Sequence, residues 1–205
     1  MNLEQTSKSL DKHMLTVQSV QYNPSMKPFM KQINELAEII RISSDTVDEW
    51  TTFQRHWVYL SPIFDSPELQ KQIPQESKKF KNSDHMWKAV MAHAKSFVKV
   101  VDCCMEEGTY QRLREGNKNL EAVRRQLTAY LQLKREGFAR FYFLSDFELL
   151  ELLSKARKIE TVQPYLKRVF ENVEAMGVER ETIFSVEGRY QEKLMLILPV
   201  RLHKV

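Results

Sequence analysis

The strongest hydrophobic pattern is a set of nine positions between Phe29 and Trp57 that recur at alternating intervals of four and three residues. Seven of the nine are apolar, which is typical of a helix that buries one face. We expect one helix from Pro28 to Leu60, about 50 Å long at about 1.5 Å per residue. We expect Ser43-Ser44-Asp45 to bend or interrupt this helix, and Pro62 to stop it. The nine positions are Phe29, Ile33, Leu36, Ile40, Ser43, Val47, Trp50, Gln54 and Trp57.

Further helices are predicted where apolar residues again recur at intervals of three or four. We expect a helix from about Gln75 to Lys95, a shorter one through Cys104, a third from about Glu106 to Glu136, and another from about Val162 to Val173. Low glycine content and abundant Leu, Glu, Lys and Gln support this helical reading.

An aromatic run, Phe138–Leu144, follows the glycine that ends the third long helix. Such a run is too apolar for an exposed loop, so we expect a buried, extended crossing. Ser145 and Glu148 then have the three-residue spacing of a capping box, which predicts the start of another helix.

After Gly177 the apolar residues no longer recur at intervals of three or four. The segments Thr182–Val186 and Lys193–Leu198 flank a turn that contains Gly188, which predicts a β-hairpin. A terminal hairpin needs a surface to pack on, so we expect the chain to stop inside a larger architecture. The predicted fold class is therefore mainly α, an elongated bundle of long helices with a small C-terminal β-hairpin.

Three segments are expected along the chain. Residues 1–23 form a polar lead-in, residues 24–180 form the helical body, and residues 181–205 form the hairpin that begins a further, truncated subdomain. A net charge of +4 is too small to indicate nucleic acid or an anionic membrane as the main partner. The polar N-terminus and the short apolar runs predict a soluble intracellular protein.

The glycines exclude two kinds of phosphate-binding loop. No two of the five glycines are closer than eight residues, whereas a Walker A loop needs two glycines five apart and a dinucleotide fingerprint needs two that are two apart. We therefore expect no nucleotide cofactor. The glycines are Gly108, Gly116, Gly137, Gly177 and Gly188.

Candidate catalytic and metal-binding groups are few. Cys103 and Cys104 are adjacent and lie in an apolar stretch, so we expect free, buried thiols. No two histidines lie four residues apart, the spacing at which one face of a helix presents two zinc ligands. The acidic pairs Glu106-Glu107 and Glu148/Glu151, and basic clusters interleaved with acids, are read as solvated faces and caps. The basic clusters are Lys78-Lys79-Lys81, Arg124-Arg125 and Lys134-Arg135.

Several blocks, in order, resemble the linker region of dynein heavy chains, from about Leu10 to Val200. They include Trp50, Gln54, Trp57 and Tyr59-Leu60 with Pro62-Ile63-Phe64, then the helix from Asn119-Leu120 to Lys134-Arg135, and Phe138–Ser145 with Glu148–Leu153. The N-terminal pattern of Leu10–His13, Gln18-Ser19 and Asn23-Pro24 is similar to axonemal members. Ala139 stands where the family usually has proline.

The resemblance implies a non-catalytic mechanical linker, a lever that transmits ATP-driven motion of the motor ring into minus-end-directed movement along microtubules. It implies no catalytic, cofactor-binding or metal-binding residue in this segment. The implied partners are the AAA+ motor ring of the parent chain and, through the parent complex, intermediate and light chains. Microtubules are contacted only indirectly, and neither nucleic acid nor a membrane is a partner. The implied location is the cytoplasm and cytoskeleton, or the axoneme of a cilium or flagellum.

Two alternatives stay open from the residues alone. One is a free-standing helical adaptor that binds partner helices through the apolar stripe of the first long helix. The other is an enzyme that uses Cys103 or Cys104 as a nucleophile with a histidine brought close by the fold.

Overall fold

The structure, a computed structural model, describes residues 3–155, 159–180, 182–190 and 192–201. The described residues form eight α-helices, two 3-10 helices and a three-stranded sheet, which confirms the mainly α fold with a small C-terminal β element. The α-helices are α1 (Leu3–Gln21), α2 (Met30–Phe64), α3 (Pro67–Gln72), α4 (Pro74–Ala94), α5 (Val100–Met105), α6 (Thr109–Gly137), α7 (Asp146–Lys155) and α8 (Ile159–Val169). The strands are β1 (Val173–Glu179), β2 (Thr182–Gly188) and β3 (Lys193–Arg201).

The chain divides into two compact units. Unit 1 comprises Met1–Pro62 and Gln75–Arg124, and unit 2 comprises Ile63–Pro74 and Arg125–Val205. Unit 1 therefore contains α1, α5, most of α2 and α4, and the first half of α6. Unit 2 contains α3, the end of α6, α7, α8 and the sheet.

The polar N-terminal segment forms the regular helix α1. Leu10 and Val17 on α1 are buried against Ile40 and Val47 of α2 and against Cys104 of α5. Leu10, Met14 and Val17 recur at intervals of four and three, so this helix buries one narrow apolar stripe in an otherwise polar surface. The stripe is too sparse for sequence periodicity to reveal it.

The long stripe on α2 packs only in part. Phe29 and Leu36 are exposed, whereas Ile40, Val47 and Trp50 are buried. Further along, Gln54 is exposed and the buried position is Phe53. A straight α-helix has 3.6 residues per turn, so a repeat of 3.5 drifts by about 20° in each heptad. The buried face therefore moves off the predicted positions.

Two expectations about the continuity of α2 are wrong. The helix passes Ser43-Ser44-Asp45 without a break, because the side chain of Ser43 is buried rather than bonded as a cap. It also passes Pro62 and ends two residues later, at Phe64. A proline removes one amide donor and crowds the preceding turn, and here the helix ends within one turn of it.

The aromatic run after α6 is neither extended nor buried. Ala139–Phe143 forms a 3-10 helix with no buried residue, and Leu144 is the buried residue that follows it. A turn of three residues brings Phe138 edge-on to Phe141, with ring centroids 4.9 Å apart. The same turn leaves Phe143 exposed.

The C-terminal sheet has the strand order β1-β2-β3, and both pairs are antiparallel. The predicted hairpin is present as β2 and β3, and β1 extends it. Sequence patterning missed β1, since the helix predicted to reach Val173 ends at Val169. Gly177 on β1 lies opposite Ser185, and a β-carbon at that glycine would collide with the buried Ser185 hydroxyl.

Candidate functional site

The best-defined side-chain cluster in unit 1 is an aromatic junction, by which we mean Trp50, Phe53 and Trp57 of α2 with Trp87 of α4. The Phe53 ring stacks on Trp87 with centroids 4.8 Å apart and an interplanar angle of 17°. Trp50 meets Trp87 edge-on at 6.0 Å, and Trp57 lies 6.3 Å from it. Each such pair contributes about 0.5–1.5 kcal/mol beyond its area burial. The two helices are thereby held by directional contacts as well as by burial.

A polar contact fixes one edge of the aromatic junction. The indole Nε1 of Trp57 donates to the Asp84 carboxylate at 2.9 Å, and Lys88 Nζ lies 2.7 Å from the same carboxylate. Burial acts to raise the pKa of Asp84, but the hydrogen bonds from Lys88 and Trp57 outweigh it and leave the pKa below its usual value. Asp84 is therefore an ionised anchor for the half-buried indole.

The helix α6 joins the same region through two small or polar residues. Gly116 lies against the Phe53 ring, so that a β-carbon there would come within 2.5 Å of Phe53 Cε2. Asn117 is buried and donates from Nδ2 to the Glu49 backbone oxygen at 2.8 Å and to the Glu49 carboxylate at 2.6 Å. Side chains of three helices, α2, α4 and α6, thus meet in unit 1.

Sequence reasoning did not single out Asn117, although a signal was present. Asn117 lies four residues after Leu113 and three before Leu120, and both leucines are fully buried. A polar residue at a core position of an apolar stripe usually bonds to a partner across the helix interface. The partner, the backbone oxygen of Glu49, could not be read from the sequence.

His56 lies beside this region on α2 and is half-buried. Burial lowers its pKa, and the nearby Arg124 guanidinium lowers it further. Its Nδ1 is buried without a hydrogen-bond partner among the described residues. The lowered pKa favours the neutral form of the ring.

Unit 2 contains a different anchor, centred on Arg135 near the end of α6. Its Nη2 donates to the Leu144 backbone oxygen at 3.0 Å and lies 2.8 Å from the Asp146 carboxylate. The predicted capping box is confirmed: Ser145 N donates to the Glu148 carboxylate at 2.9 Å, and Glu148 N donates to Ser145 Oγ at 3.3 Å. Arg135 was read as part of a solvated basic cluster, but it fixes the entry to α7.

The two candidate nucleophiles are inert in their surroundings. Cys103 and Cys104 are free and buried, as expected. Burial raises the pKa of Cys103, and it raises the pKa of Cys104 to about 11. Because the thiolate is the nucleophilic form, neither side chain is activated.

The candidate carboxylates serve as partners for nearby groups. Glu106 lies 2.5 Å from His93 Nε2, and Glu148 forms an ion pair with Arg168 besides capping α7. Glu151 accepts a hydrogen bond from the Tyr165 hydroxyl at 2.6 Å. Burial and that hydrogen bond raise the pKa of Tyr165 to about 12. Glu106 and Glu107 also line a cavity of unit 1.

The members of the basic clusters that lie in unit 1 are exposed. Lys78, Lys79 and Lys81 are exposed on α4, and Arg124 is exposed on α6. Over the described residues, no group of three or more His, Cys, Asp or Glu side chains is arranged to hold a metal ion. No described helix is long and apolar enough to cross a membrane.

Unit 1 also has a cavity of about 290 Å³ beside the turn between α5 and α6. Arg41 and Asp45 of α2 line one side, and they form an ion pair at 2.8 Å. Cys104 and Tyr110 are also part of the wall. Arg41 also bonds to Glu38, so its charge is already matched by two carboxylates.

Comparison with known proteins places these helices in a family. The family model described as dynein heavy chain, N-terminal region 2, matches residues 1–205. Dynein axonemal heavy chain 1 of Rattus norvegicus is 36% identical over 200 residues, covering 96% of this chain and 4% of the relative. Dynein axonemal heavy chain 12 of Mus musculus is 35% identical over 193 residues, covering 92% and 6%. Dynein axonemal heavy chain 8 of Mus musculus is 35% identical over 195 residues, covering 93% and 4%.

The chain thus spans about one-twentieth of the length of these relatives. The matched range, residues 1–205, spans both units. It agrees with the resemblance found in the sequence blocks. The chain belongs to the dynein heavy chain family, in the part of it that corresponds to N-terminal region 2.

Proposed function

We propose that this chain is a segment of the linker of a dynein heavy chain, a lever that transmits ATP-driven motion of the motor ring into minus-end-directed movement along microtubules. Family membership and the interlocked helices support the proposal. The observation that carries it is the aromatic junction, where Trp87 contacts Trp50, Phe53 and Trp57 while Asn117 bonds to Glu49. A lever must pass strain from one helix to the next, and such contacts resist sliding.

In this proposal the segment performs no chemistry itself. ATP hydrolysis belongs to the AAA+ ring of the parent heavy chain, which is the first partner. Intermediate and light chains associate through the parent complex, and microtubules are contacted indirectly. Since the relatives are axonemal heavy chains, we propose the axoneme of a cilium or flagellum as the location. Residues 24–180 act as the helical body, and residues 181–205 begin the next subdomain.

The test loosens α2 without removing a packed side chain. Arg55 and Val58 are both exposed on α2. Replacing both by glycine in the heavy chain that contains this region costs about 1 kcal/mol of helix stability at each position relative to alanine. We expect microtubule gliding to slow while ATP hydrolysis continues, because strain is absorbed in the loosened helix.

The matched control is the Arg55→Ala, Val58→Ala pair, which removes the same side chains but keeps the helix stiff. It should glide at the speed of the parent protein. Equal gliding speeds for the glycine and alanine pairs, with the helix shown by circular dichroism to be loosened in the glycine pair, would exclude a lever role for this segment.

A further inference from the structure

The helices α2 and α6 meet along a line of contacts that we call the α2–α6 seam, defined as Glu49, Phe53 and His56 of α2 with Gly116 and Asn117 of α6. Asn117 donates to Glu49, and Gly116 lies against the Phe53 ring. Glu49, Phe53 and His56 recur at intervals of four and three residues, so they share one face of α2. His56 is thus the position that extends the seam beyond Phe53, and it is half-buried.

One ring nitrogen of His56 is enclosed without a partner. Nδ1 is buried and has no hydrogen-bond partner among the described residues. A neutral imidazole carries hydrogen on only one nitrogen, whereas the imidazolium carries hydrogen on both. Protonation would therefore place an N–H donor at Nδ1 with no acceptor, and a buried donor without an acceptor costs free energy. The surroundings of the ring thus favour the neutral form, with its hydrogen assigned to Nε2.

The charges around the ring also oppose protonation. Burial lowers the pKa of His56 most, and the guanidinium groups of Arg124 on α6 and Arg55 on α2 lower it further. Glu121 on α6 acts in the opposite direction and offsets the arginines in part. Among the residues that the structure describes, these three are the charged groups that shift the pKa of the ring. A protonated His56 would therefore be a third cation beside two arginines.

We propose that His56 is a pH-sensitive lock in the α2–α6 seam, in which the neutral ring holds the two helices together and protonation loosens them. The enclosed Nδ1 without a partner and the two neighbouring arginines carry the inference. A histidine is suited to this role because its charge changes between about pH 5 and 8. The inference concerns packing within unit 1 and does not depend on the lever role.

The direction of the pH response follows from which form of the seam binds the proton first. An unperturbed histidine titrates near about pH 6.5, and the pKa of His56 in the packed seam is lowered. When the pH falls below about 6.5, the opened seam binds a proton that the packed seam excludes. The seam is therefore most stable above about pH 6.5 and weakens as the pH falls from there to the folded-state pKa. A difference of one bound proton shifts the opening equilibrium by up to about tenfold for each pH unit.

The test measures amide hydrogen exchange by mass spectrometry in the heavy chain that contains this region, at about pH 7.5 and about pH 5.5. His56→Gln and His56→Phe are neutral at both pH values. The matched control is His85→Gln, since His85 is exposed on α4 and lies outside the seam. Each variant is compared with the parent at the same pH, so that the intrinsic pH dependence of exchange cancels. Exchange of the imidazole Cε1 hydrogen, followed in the same samples, gives the protonation midpoint of His56.

We expect acidification to raise exchange in the peptides of α2 and α6 around the seam severalfold more in the parent than in His56→Gln or His56→Phe, and His85→Gln to respond like the parent. The protonation midpoint of His56 should lie below about pH 6.5. An equal acid response in the parent and both His56 variants, loss of the response in His85→Gln, or a His56 midpoint at or above about pH 6.5 would overturn the proposal. None of these measurements requires ATP or movement, so their failure is distinguishable from failure of the lever role.

Discussion

The buried amide of Asn117 on α6 donates to two oxygens of Glu49 on α2, the backbone oxygen at 2.8 Å and the carboxylate at 2.6 Å. One side chain therefore holds a main-chain and a side-chain atom of the neighbouring helix at once. Both bonds come from Nδ2, while the buried Oδ1 has no hydrogen-bond partner among the described residues. A buried donor that keeps its acceptors favours one register of an interface, because a shifted register leaves the donor unsatisfied.

The first prediction concerns this contact. We expect Asn117→Ala to lower the free energy of unfolding by about 1–3 kcal/mol, since Glu49 loses its donor in a buried site. Asn117→Asp should cost more at about pH 7, because it places a second carboxylate against Glu49. The like charges raise the pKa of the pair in the folded protein, so the extra cost disappears as the pH falls through that raised pKa.

Urea denaturation of both variants and the parent, at about pH 7 and about pH 4.5, measures these differences. The comparison contradicts the Asn117–Glu49 contact if the aspartate variant is as stable as the parent at the higher pH.

The second prediction separates helix propensity from packing at two glycines of α6. Gly116→Ala should destabilise unit 1 by about 1–3 kcal/mol, the usual cost of overpacking a core, because its β-carbon collides with the fully buried Phe53 ring. Gly137→Ala meets nothing within 4 Å. It should leave stability unchanged or raise it by up to about 1 kcal/mol, since alanine favours helix.

Thermal unfolding followed by circular dichroism measures both glycine variants. Equal effects of the two substitutions would mean that the close approach of α6 to Phe53 does not exist.

The third prediction concerns the bond between Trp57 and Asp84. Trp57→Phe and Asp84→Asn should each destabilise the fold, and a double-mutant cycle should give a coupling energy of about 1–2 kcal/mol, since the acceptor is charged. Additive effects of the two substitutions would show that the side chains do not interact.

The same bond has a defined pH dependence. The pKa of Asp84 is lower in the folded protein than its usual value. The stabilisation is therefore present above about pH 4 and is lost as the pH falls through the folded-state pKa. The stability gap between the parent and Asp84→Asn should close as the pH falls through the folded-state pKa of Asp84. A gap that stays constant across this range would assign the effect to packing rather than to the ionised carboxylate.

The fourth prediction tests the capping box at the start of α7. Ser145→Ala removes the acceptor of the Glu148 amide and should cost about 1 kcal/mol. Ser154→Ala, on the same helix, removes a hydroxyl that bonds back to the Glu151 backbone oxygen. It should be neutral or slightly stabilising, because alanine is the better helix former. Chemical denaturation compares them, and a larger loss for the Ser154 variant would be inconsistent with the cap.

Some features of this chain could be predicted from residues that are close together in the sequence. The spacing of Ser145 and Glu148 predicted a cap because both partners lie within one turn of the backbone. Periodicity predicted that α2, α4 and α6 are helices, since the backbone hydrogen bonds of a helix lie within one segment of the chain. The buried state of Cys103 and Cys104 followed from their apolar surroundings in the chain.

Other features depended on partners distant in sequence. The strand β1 exists because β2 pairs with it, and Val173–Glu179 alone carries only a weak pattern. Arg135 binds the Leu144 backbone because the chain turns back after α6. The helix α1 also depends on distant partners, because its few apolar residues are buried only by packing against α2 and α5.

The sequence by itself determined the helical class, the family and the absence of glycine-rich phosphate loops, because each of these depends on spacing along one segment. Only the tertiary structure decided which residues of the long stripe are buried, that Phe53 replaces Gln54 at the interface, and that Asn117 bonds to Glu49. These outcomes depend on the rotation of one helix against another. A spacing of three and four residues defines a helix face only to within about 20° per heptad. Packing against the neighbouring helices therefore determines which residues of the stripe are buried.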